Sequence, residues 1–244
     1  MSLPVFLTAA VTGASAGSTV ELSGDEGRHA VVVRRIRVGE RIVLTDGAGT
    51  AATCSVEATA KASLTARVLD VSVAPREEPA VTVVQAIPKG DRGELAVEML
   101  TEVGVDRIVP WTASRCVAVW RGDRVEKSLA KWRSASREAA KQSRRSWFPS
   151  VTGVAATADV ADLLDAADLG VVLHEAAASS LAALDAPASG SMVVVVGPEG
   201  GLTGEELGAF SSAHVVRLGS SVLRTSTAGV AAVAALLSRT PRWR

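Results

Sequence analysis

The feature that most constrains the fold is a strand–turn–helix pattern that occurs twice within Met192–Leu237. The apolar run Met192–Val196 predicts a buried strand, which leads into the glycine-rich turn Gly197–Gly201 and then into a helix. A second predicted strand, His214–Leu218, leads into a Ser/Thr-rich turn and a final helix of small residues. Because ligands of open α/β sheets bind beyond the carboxyl ends of the strands, we expect both turns to contact one small ligand.

The residues of these turns exclude several common ligand sites. The glycine-rich turn is not followed by Gly-Lys-Ser/Thr, and no Gly-x-Gly-x-x-Gly follows a first strand, so nucleotide-phosphate and dinucleotide sites lose support. Thr203 and Glu206 have the Ser/Thr-x-x-Glu spacing of a capping box, which predicts a helix start directly after the turn. The second turn places Arg224 among Ser and Thr hydroxyls, which offer hydrogen bonds to a polar ligand.

Cysteine and histidine usage excludes a metal centre and a classical nucleophile. The chain has three histidines and two cysteines, and Cys54 and Cys116 have no metal-ligand or disulfide spacing. We therefore expect no metal, and two ordinary thiols in a reducing compartment. His174-Glu175 follows the predicted strand Leu169–Leu173, and two interpretations stay open: acid/base chemistry or a structural hydrogen-bonding corner.

A change of pattern divides the chain at Pro75–Pro79, a charged segment with two prolines that we interpret as a linker. Residues 1–74 predict a small β-barrel with one helix, and residues 80–244 predict an α/β domain with a mostly parallel sheet. The first domain has predicted strands at Val5–Leu7, Arg41–Thr45, Ala51–Glu57 and Leu64–Val73, and a helix at Gly24–Val33 opened by a second capping box, Ser23–Glu26. The second has further predicted strands at Val81–Ile87, Arg107–Pro110 and Cys116–Val119, and helices at Asp91–Val103, Asp123–Arg145 and Ala155–Ala166.

Local charge contrasts with a formal net charge of zero. The segment Arg121–Arg145 carries nine basic residues against three acidic ones, on a predicted helix with one apolar face. A solvated helix surface is the ordinary explanation of such a run. A second basic cluster, Arg28–Arg41, lies in the other predicted domain, and the two clusters together favour a nucleic-acid cleft.

Neither a membrane span nor a secretory signal is predicted. No run of about 18 apolar residues occurs, so we expect no membrane-spanning helix. The segment Met1–Gly17 is mildly apolar but lacks a basic amino-terminal region, which argues against a signal peptide. The expected location is the cytoplasm.

Several of these motifs together resemble one known family. The motifs Leu173-His174-Glu175, Val196–Gly201, Leu218-Gly219 and Val222–Ala228 are similar to those of the RsmE family, the 16S ribosomal RNA (uracil-N3)-methyltransferases of the SPOUT superfamily. Upstream, the segments Gly27–Arg35, Lys89–Arg92, Thr101–Val105 and Arg133–Arg145 resemble further blocks of that family. The similarity covers nearly the whole chain.

The resemblance implies a fold, a reaction and partners. The fold is α/β, with an N-terminal PUA-like β-barrel that binds RNA and a C-terminal SPOUT α/β knot, a trefoil-knotted and mostly parallel sheet. The reaction is S-adenosyl-L-methionine-dependent methylation of N3 of one uridine in 16S ribosomal RNA or in the assembling small ribosomal subunit. A homodimer with the active site near the subunit interface is also implied. Two alternatives stay open: a non-catalytic RNA-binding or ribosome-assembly protein, and a SPOUT 2′-O-ribose methyltransferase.

The resemblance also implies roles for individual residues. Cofactor-binding residues are expected in three turns: Leu173, His174, Glu175, Val196, Gly197, Pro198, Glu199, Gly200, Gly201, Leu218, Gly219, Leu223, Arg224, Thr225 and Ser226. The RNA-binding candidates are Arg28, His29, Arg34, Arg35, Arg37, Lys89, Arg115, Lys141 and Arg145, and the catalytic candidates are Arg224, Arg144 and Glu138. An arginine would stabilise the anionic uracil, while Glu138 or His174 would act as a base.

Ser226 stands where the family often has Glu, and Met99 where it often has Lys.

Overall fold

The structure, a computed structural model, describes residues 3–243, which form two compact units. The first comprises residues 3–76 together with Ala140–Phe148, and the second comprises Glu77–Ala139 together with residues 149–243. The division after Arg76 lies within the segment predicted as the linker. Residues 140–148, which the sequence analysis placed in the second domain, return to the first unit.

A mixed five-stranded sheet in the order β1-β3-β4-β5-β2 forms the first unit. Its strands are β1 (Val5–Leu7), β2 (Thr19–Leu22), β3 (Arg41–Thr45), β4 (Thr50–Thr59) and β5 (Leu64–Val73). The strands β1 and β3 pair in parallel, and the other neighbours pair antiparallel. The sequence pattern predicts four of these strands but not β2, whose apolar Val20 and Leu22 alternate with polar Thr19 and Glu21 over only two repeats.

The helix α1 (Gly24–Arg28) continues into a π-helical turn, His29–Val33, so the predicted helix is confirmed. The predicted capping box before it is wrong, because the Ser23 side chain makes no capping hydrogen bond. The Glu26 carboxylate instead accepts hydrogen bonds from the Leu7 N–H at 3.2 Å and from the Lys141 ammonium at 2.8 Å.

Aromatic packing explains why residues 140–148 join the first unit. The Trp147 indole N–H donates to the Ala74 carbonyl at 2.9 Å, and the Arg76 guanidinium lies 4.0 Å from the ring centroid. Gly49 adopts φ +102°, and a Cβ there would lie 2.7 Å from the indole, so the turn between β3 and β4 needs glycine at this position. The Phe148 N–H donates to the Gly47 carbonyl at 2.8 Å.

A seven-stranded, all-parallel sheet in the order β10-β12-β9-β11-β6-β7-β8 forms the second unit. Its strands are β6 (Ala80–Ala86), β7 (Arg107–Trp111), β8 (Ser150–Val151), β9 (Leu169–Leu173), β10 (Ser179–Ser180), β11 (Ser191–Val196) and β12 (His214–Arg217). The near-continuous apolar runs of β6, β9 and β11 suit strands that are covered on both faces.

Helices cover both faces of this sheet, as predicted for an α/β domain. They are α2 (Arg92–Val103), α3 (Arg124–Gln142), α4 (Thr157–Asp165), α5 (Gly204–Ala209) and α6 (Thr225–Leu237). The core on one face joins α2 and α6 to residues such as Val83 and Val194, and the core on the other face joins Phe210 to Val84 and Val195. Consecutive residues of one strand therefore point into opposite cores.

The predicted strand Cys116–Val119 is wrong. The Cys116 N–H donates to the Ala113 carbonyl at 3.1 Å, which turns the chain directly after β7, and Val117 is 64% exposed. The β-branched residues Val117 and Val119 have a strand-like composition, but the segment pairs with no neighbouring strand among the described residues. Among residues 3–243, no helix is long and apolar enough to cross a membrane.

Candidate functional site

The strand ends of the second unit form a cavity of about 1060 Å³. Register places the carboxyl ends of four strands at one level, since Val196 of β11 lies opposite Leu173 of β9 and Gln85 of β6, and Val216 of β12 lies opposite Leu173. The segments that follow these strands line the cavity. This is the position at which open α/β sheets bind their ligands.

Most of the residues predicted to bind a cofactor lie in this cavity. Those that line it are Leu173, His174, Glu175, Val196, Gly197, Pro198, Glu199, Gly201, Leu218, Gly219, Leu223, Arg224 and Thr225. Two predicted residues do not. Ser226 is 3% exposed within the first turn of α6, and the Gly200 backbone packs against Arg115.

A fourth segment, which the sequence patterns did not predict as part of the site, lines the same cavity. The turn after β6 contributes Lys89, Gly90, Asp91 and Arg92, and α2 adds Leu95. The sequence pattern could have indicated this segment, because it follows the predicted buried strand Val81–Ile87. The carboxyl end of that strand must reach the same edge of the parallel sheet. Of these residues only Lys89 was a candidate, and it was expected to contact RNA.

The Glu199 side chain connects three of the lining segments. Its Oε1 accepts the Lys89 N–H at 3.4 Å and the Thr225 hydroxyl at 3.3 Å. The glycine-rich turn is thus joined to the turn after β6 and to the start of α6. These hydrogen bonds to the carboxylate fix the shape of the cavity wall around a side chain that stays exposed.

Two arginines of the cavity differ in what their guanidinium groups contact. Arg217 donates to the carbonyls of Ala177 and Ala178 at 2.8 and 2.6 Å, and so holds the segment after β9. Arg224 is the N-cap of α6, and its guanidinium has no hydrogen bond or ion pair among the described residues. Its charge is therefore available to an anionic group in the cavity.

The His174 side chain hydrogen-bonds the turn that follows β9. Its Nδ1 accepts the Ala176 N–H at 3.1 Å. Its backbone N–H donates to the Val216 carbonyl at 2.9 Å. Of the two interpretations left open by the sequence, this geometry favours the structural one.

The remaining candidates lie outside the cavity. Glu138, in the second unit, lies 3.9 Å from the neighbouring Arg137 guanidinium, and Arg144 is exposed in the first unit. The exposed RNA-binding candidates of the first unit are Arg28, Arg34, Arg35 and Arg37. Two of these arginines, Arg35 and Arg144, have left-handed backbones, with φ values of 56° and 57°.

Three basic candidates are not exposed cations. Lys141 is 8% exposed and its ammonium forms the ion pair with Glu26, so it is not a solvent-facing cation. Its role as an RNA contact stays a prediction. The helical period predicts that Lys141 lies opposite the apolar face of α3. The end of α3, from residue 140 onward, belongs to the first unit, where Lys141 is buried. His29 is half-buried with its ring 6.1 Å from that of Phe6, and Arg145 is half-buried.

The fold and cavity agree with comparisons to known proteins. A family model described as an RNA methyltransferase domain matches residues 76–237, and a model described as an RNA methyltransferase PUA domain matches residues 22–69. The parallel sheet with its turn-lined cavity is therefore the catalytic domain of an RNA methyltransferase, preceded by a PUA-type domain.

Individual relatives specify the family. The chain is 47% identical to ribosomal RNA small subunit methyltransferase E of Mycobacterium tuberculosis, over 93% of this chain and 89% of the relative, and 30% identical to that of Bacillus subtilis, over 91% of each. It superposes with a TM-score of 0.87 on the Neisseria gonorrhoeae enzyme of that name bound to S-adenosyl methionine, at 32% identity, covering 97% of this chain and 98% of that one. A Legionella pneumophila methyltransferase in complex with the same cofactor gives a TM-score of 0.86 at 27% identity, with 97% of each chain covered. The chain belongs to the ribosomal RNA small subunit methyltransferase E family.

Proposed function

We propose that this protein transfers the methyl group of S-adenosyl-L-methionine to N3 of one uridine in 16S ribosomal RNA. The observation that carries the proposal is the cavity at the four strand ends, formed mainly by the residues expected to bind the cofactor. The family and the cofactor-bound relatives support the same cofactor.

The cavity residues fit this cofactor. Apolar Leu95, Val117 and Leu173 supply walls for a purine ring, and the carboxylates of Asp91 and Glu175 suit a positively charged sulfonium. Gly197 has its hypothetical Cβ 3.0 Å from Leu202, so a larger residue would disturb the packing beneath the glycine-rich turn. When bound, the cofactor supplies an electrophilic methyl group.

Arg224 is the residue proposed to act on the uracil. The N3 atom carries an imide proton, and its loss to the solvent leaves negative charge on the base. Formation of the N3–methyl bond then neutralises this charge as the sulfonium–methyl bond breaks and leaves a neutral thioether. The guanidinium of Arg224 is unpaired within the described residues and lies at the N-terminus of the 13-residue helix α6, where the helix dipole also favours an anion. Arg224 would therefore stabilise the anionic base, while the lining turns hold the reacting groups in position. Glu138 and Arg144 remain candidates from the resemblance alone.

The RNA is proposed to bind through exposed basic side chains of the PUA-type unit, including Arg28, Arg34, Arg35 and Arg37. These residues would contact phosphates and set register without reading sequence. Because N3 lies on the Watson–Crick edge, the target uridine must be unpaired or flipped out of its stack.

Assembly and topology form a further part of the proposal. Leu95, Val117 and Val222 are 47%, 64% and 80% exposed and form an apolar rim of the cavity, which supports a homodimer in which a second copy covers this rim. The insertion of β11 between β9 and β6 supports the trefoil knot implied by the resemblance. The proposed site of action is the cytoplasm, on 16S ribosomal RNA or the assembling small subunit.

Product mapping tests the proposed reaction. Purified protein, S-adenosyl-L-methionine and either free 16S ribosomal RNA or small subunits are incubated, and nucleosides are analysed by mass spectrometry. We expect 3-methyluridine in amounts that depend on the protein. A 2′-O-methylated product would identify the ribose methyltransferase alternative, and the absence of cofactor binding in calorimetry would favour the non-catalytic one.

The Arg224→Ala variant tests the assignment of that residue. We expect turnover to fall at least about 100-fold because a charge-stabilising group is lost. Arg107→Ala is the matched control, since Arg107 is an exposed arginine at the amino end of β7. Unchanged turnover in Arg224→Ala would contradict the assignment.

A further inference from the structure

The glycine-rich turn is attached to a neighbouring segment that the sequence gave no reason to connect with it. The chain leaving β7 passes alongside the turn at Ser114 and Arg115. Two residues make the attachment, Arg115 from the segment after β7 and Glu206 from α5. Beyond the attachment, Val117 of the same segment forms part of the cavity wall.

Arg115 binds the backbone of the turn directly. One guanidinium nitrogen, Nη1, donates to the Gly200 carbonyl at 3.1 Å and to the Leu202 carbonyl at 3.5 Å. The backbones are also close, because a Cβ on Gly200 would lie 2.9 Å from the Arg115 Cβ and 3.1 Å from its carbonyl oxygen. A side chain at position 200 would therefore push the two segments apart.

Glu206 makes the second attachment from a buried position. It is 2% exposed, and its Oε1 accepts the Ser114 N–H at 2.7 Å. Its Oε2 accepts the Thr203 N–H at 2.8 Å and the Thr203 hydroxyl at 3.1 Å. Burial alone would raise the pKa of this carboxyl, but the hydrogen bonds from Ser114 and Thr203 outweigh it, and the pKa lies below its ordinary value. The group is a carboxylate at neutral pH.

The two attachments add to the Glu199 hydrogen bonds that restrain the glycine-rich turn. Three glycines within Gly197–Gly201 give the turn many accessible backbone conformations, and ordering them on ligand binding costs conformational entropy. Contacts that order the turn beforehand reduce that cost and raise ligand affinity. Neither Arg115 nor Glu206 lines the cavity, so they act through the turn and not on the ligand.

We propose that Arg115 and Glu206 are positioning residues that hold the glycine-rich turn in its cofactor-binding conformation, and that Arg115 sets cofactor affinity rather than RNA affinity. The inference rests on the proposed function, in that the ligand of the turn is S-adenosyl-L-methionine. It replaces the sequence-based expectation that Arg115 contacts RNA.

The principal test uses Arg115→Ala, whose exposed position makes misfolding a small concern. Arg107→Ala is the matched control, because Arg107 is an exposed arginine at the start of β7, the strand that precedes the Arg115 segment. Calorimetry without RNA measures the dissociation constant of S-adenosyl-L-methionine. We expect Arg115→Ala to weaken binding about tenfold, the change that corresponds to one good hydrogen-bonded contact. Arg107→Ala should bind as the unsubstituted protein does.

Kinetics and exchange separate positioning from other roles. In Arg115→Ala we expect KM for the cofactor to rise about tenfold while kcat at saturating cofactor stays within about twofold, as for a loss of ground-state binding. Amide hydrogen exchange at residues 199–202 should become faster in Arg115→Ala and in Glu206→Gln. The conservative Arg115→Lys variant should recover part of the cofactor affinity, since an ammonium can donate to one of the two carbonyls.

The opposite pattern would overturn the inference. Unchanged cofactor affinity, combined with weaker RNA binding and a shallower dependence of that binding on salt, would make Arg115 a phosphate contact. Unchanged exchange at residues 199–202 in both variants would show that the turn does not depend on these contacts. If the unsubstituted protein itself failed to bind S-adenosyl-L-methionine, the proposed function would fall, which calorimetry distinguishes from failure of the positioning role alone.

Discussion

The Ser/Thr-x-x-Glu pattern occurs at the start of two helices, and only one of the two forms the capping box that the pattern predicts. At α5, Thr203 accepts the Glu206 N–H at 3.1 Å, and the Glu206 carboxylate accepts the Thr203 N–H in return. At α1, Ser23 makes no side-chain capping bond and Glu26 turns to Leu7 and Lys141. The same local pattern therefore has two outcomes.

The two helix starts differ because different hydrogen-bond donors lie near Glu26 and Glu206. Glu26 lies near the Lys141 ammonium, and a charge-assisted hydrogen bond in a largely buried position is stronger than one to a neutral N–H. Among the described residues, Glu206 has only N–H and hydroxyl donors as partners. One of its oxygens completes the capping box while the other accepts the Ser114 N–H. A capping box thus forms where no stronger partner competes for the carboxylate.

The largest expected effect comes from breaking the Glu26–Lys141 ion pair at α1. Glu26→Ala should lower the free energy of unfolding by about 3 kcal/mol, because it withdraws a charge partner from an ammonium that is 8% exposed. Urea unfolding measures the loss. The double variant Glu26→Ala with Lys141→Met should recover part of it, and a double variant that loses the sum of both single effects would contradict the ion-pair explanation.

A smaller effect is expected at α5. Glu206→Gln should lower the free energy of unfolding by about 2 kcal/mol at neutral pH, because the amide cannot accept all the hydrogen bonds of the carboxylate. Since the pKa of Glu206 is lowered by folding, its contribution is present above the unfolded pKa of about 4.3 and is lost as the pH falls through the lower folded value. Urea midpoints of both proteins across acidic pH should therefore converge; a constant difference would exclude a role for the charge.

The smallest effects compare the two capping residues themselves. Thr203→Ala should cost about 1 kcal/mol, as for other functional N-caps. Ser23→Ala should change stability by less than about 0.5 kcal/mol, because its hydroxyl caps nothing. Equal losses in the two variants, measured side by side by thermal unfolding, would mean that the two helix starts do not differ as described.

The same competition between local pattern and distant contacts decides how much of the fold the sequence predicts. Long apolar strands such as β9, β11 and β5 are predicted closely, because their composition and bounding turns are local properties. The strand predicted at Cys116–Val119 fails because sheet pairing depends on a neighbour that the segment lacks. The burial of Lys141 likewise depends on Glu26, which lies more than a hundred residues away in the chain.

The candidate site likewise contains parts that local sequence patterns predict and parts that depend on distant contacts. Three of its turns are predicted from glycine, Ser/Thr and His-Glu motifs at strand ends, and these residues line the cavity. The turn after β6 and the attachment by Arg115 are not predicted, since no pattern in the sequence links Arg115 to Gly200. A motif identifies the residues that face a ligand more readily than the residues that hold them in place.

The return of Trp147 and Phe148 to the first unit has a consequence for synthesis on the ribosome. The N-terminal sheet emerges first, yet the indole that fills the space beside Gly49 is translated long after β5. At about 5–20 residues per second, the nascent sheet waits several seconds with that surface open. The final packing of the first unit therefore forms only after β7 and α3 of the later chain have been made.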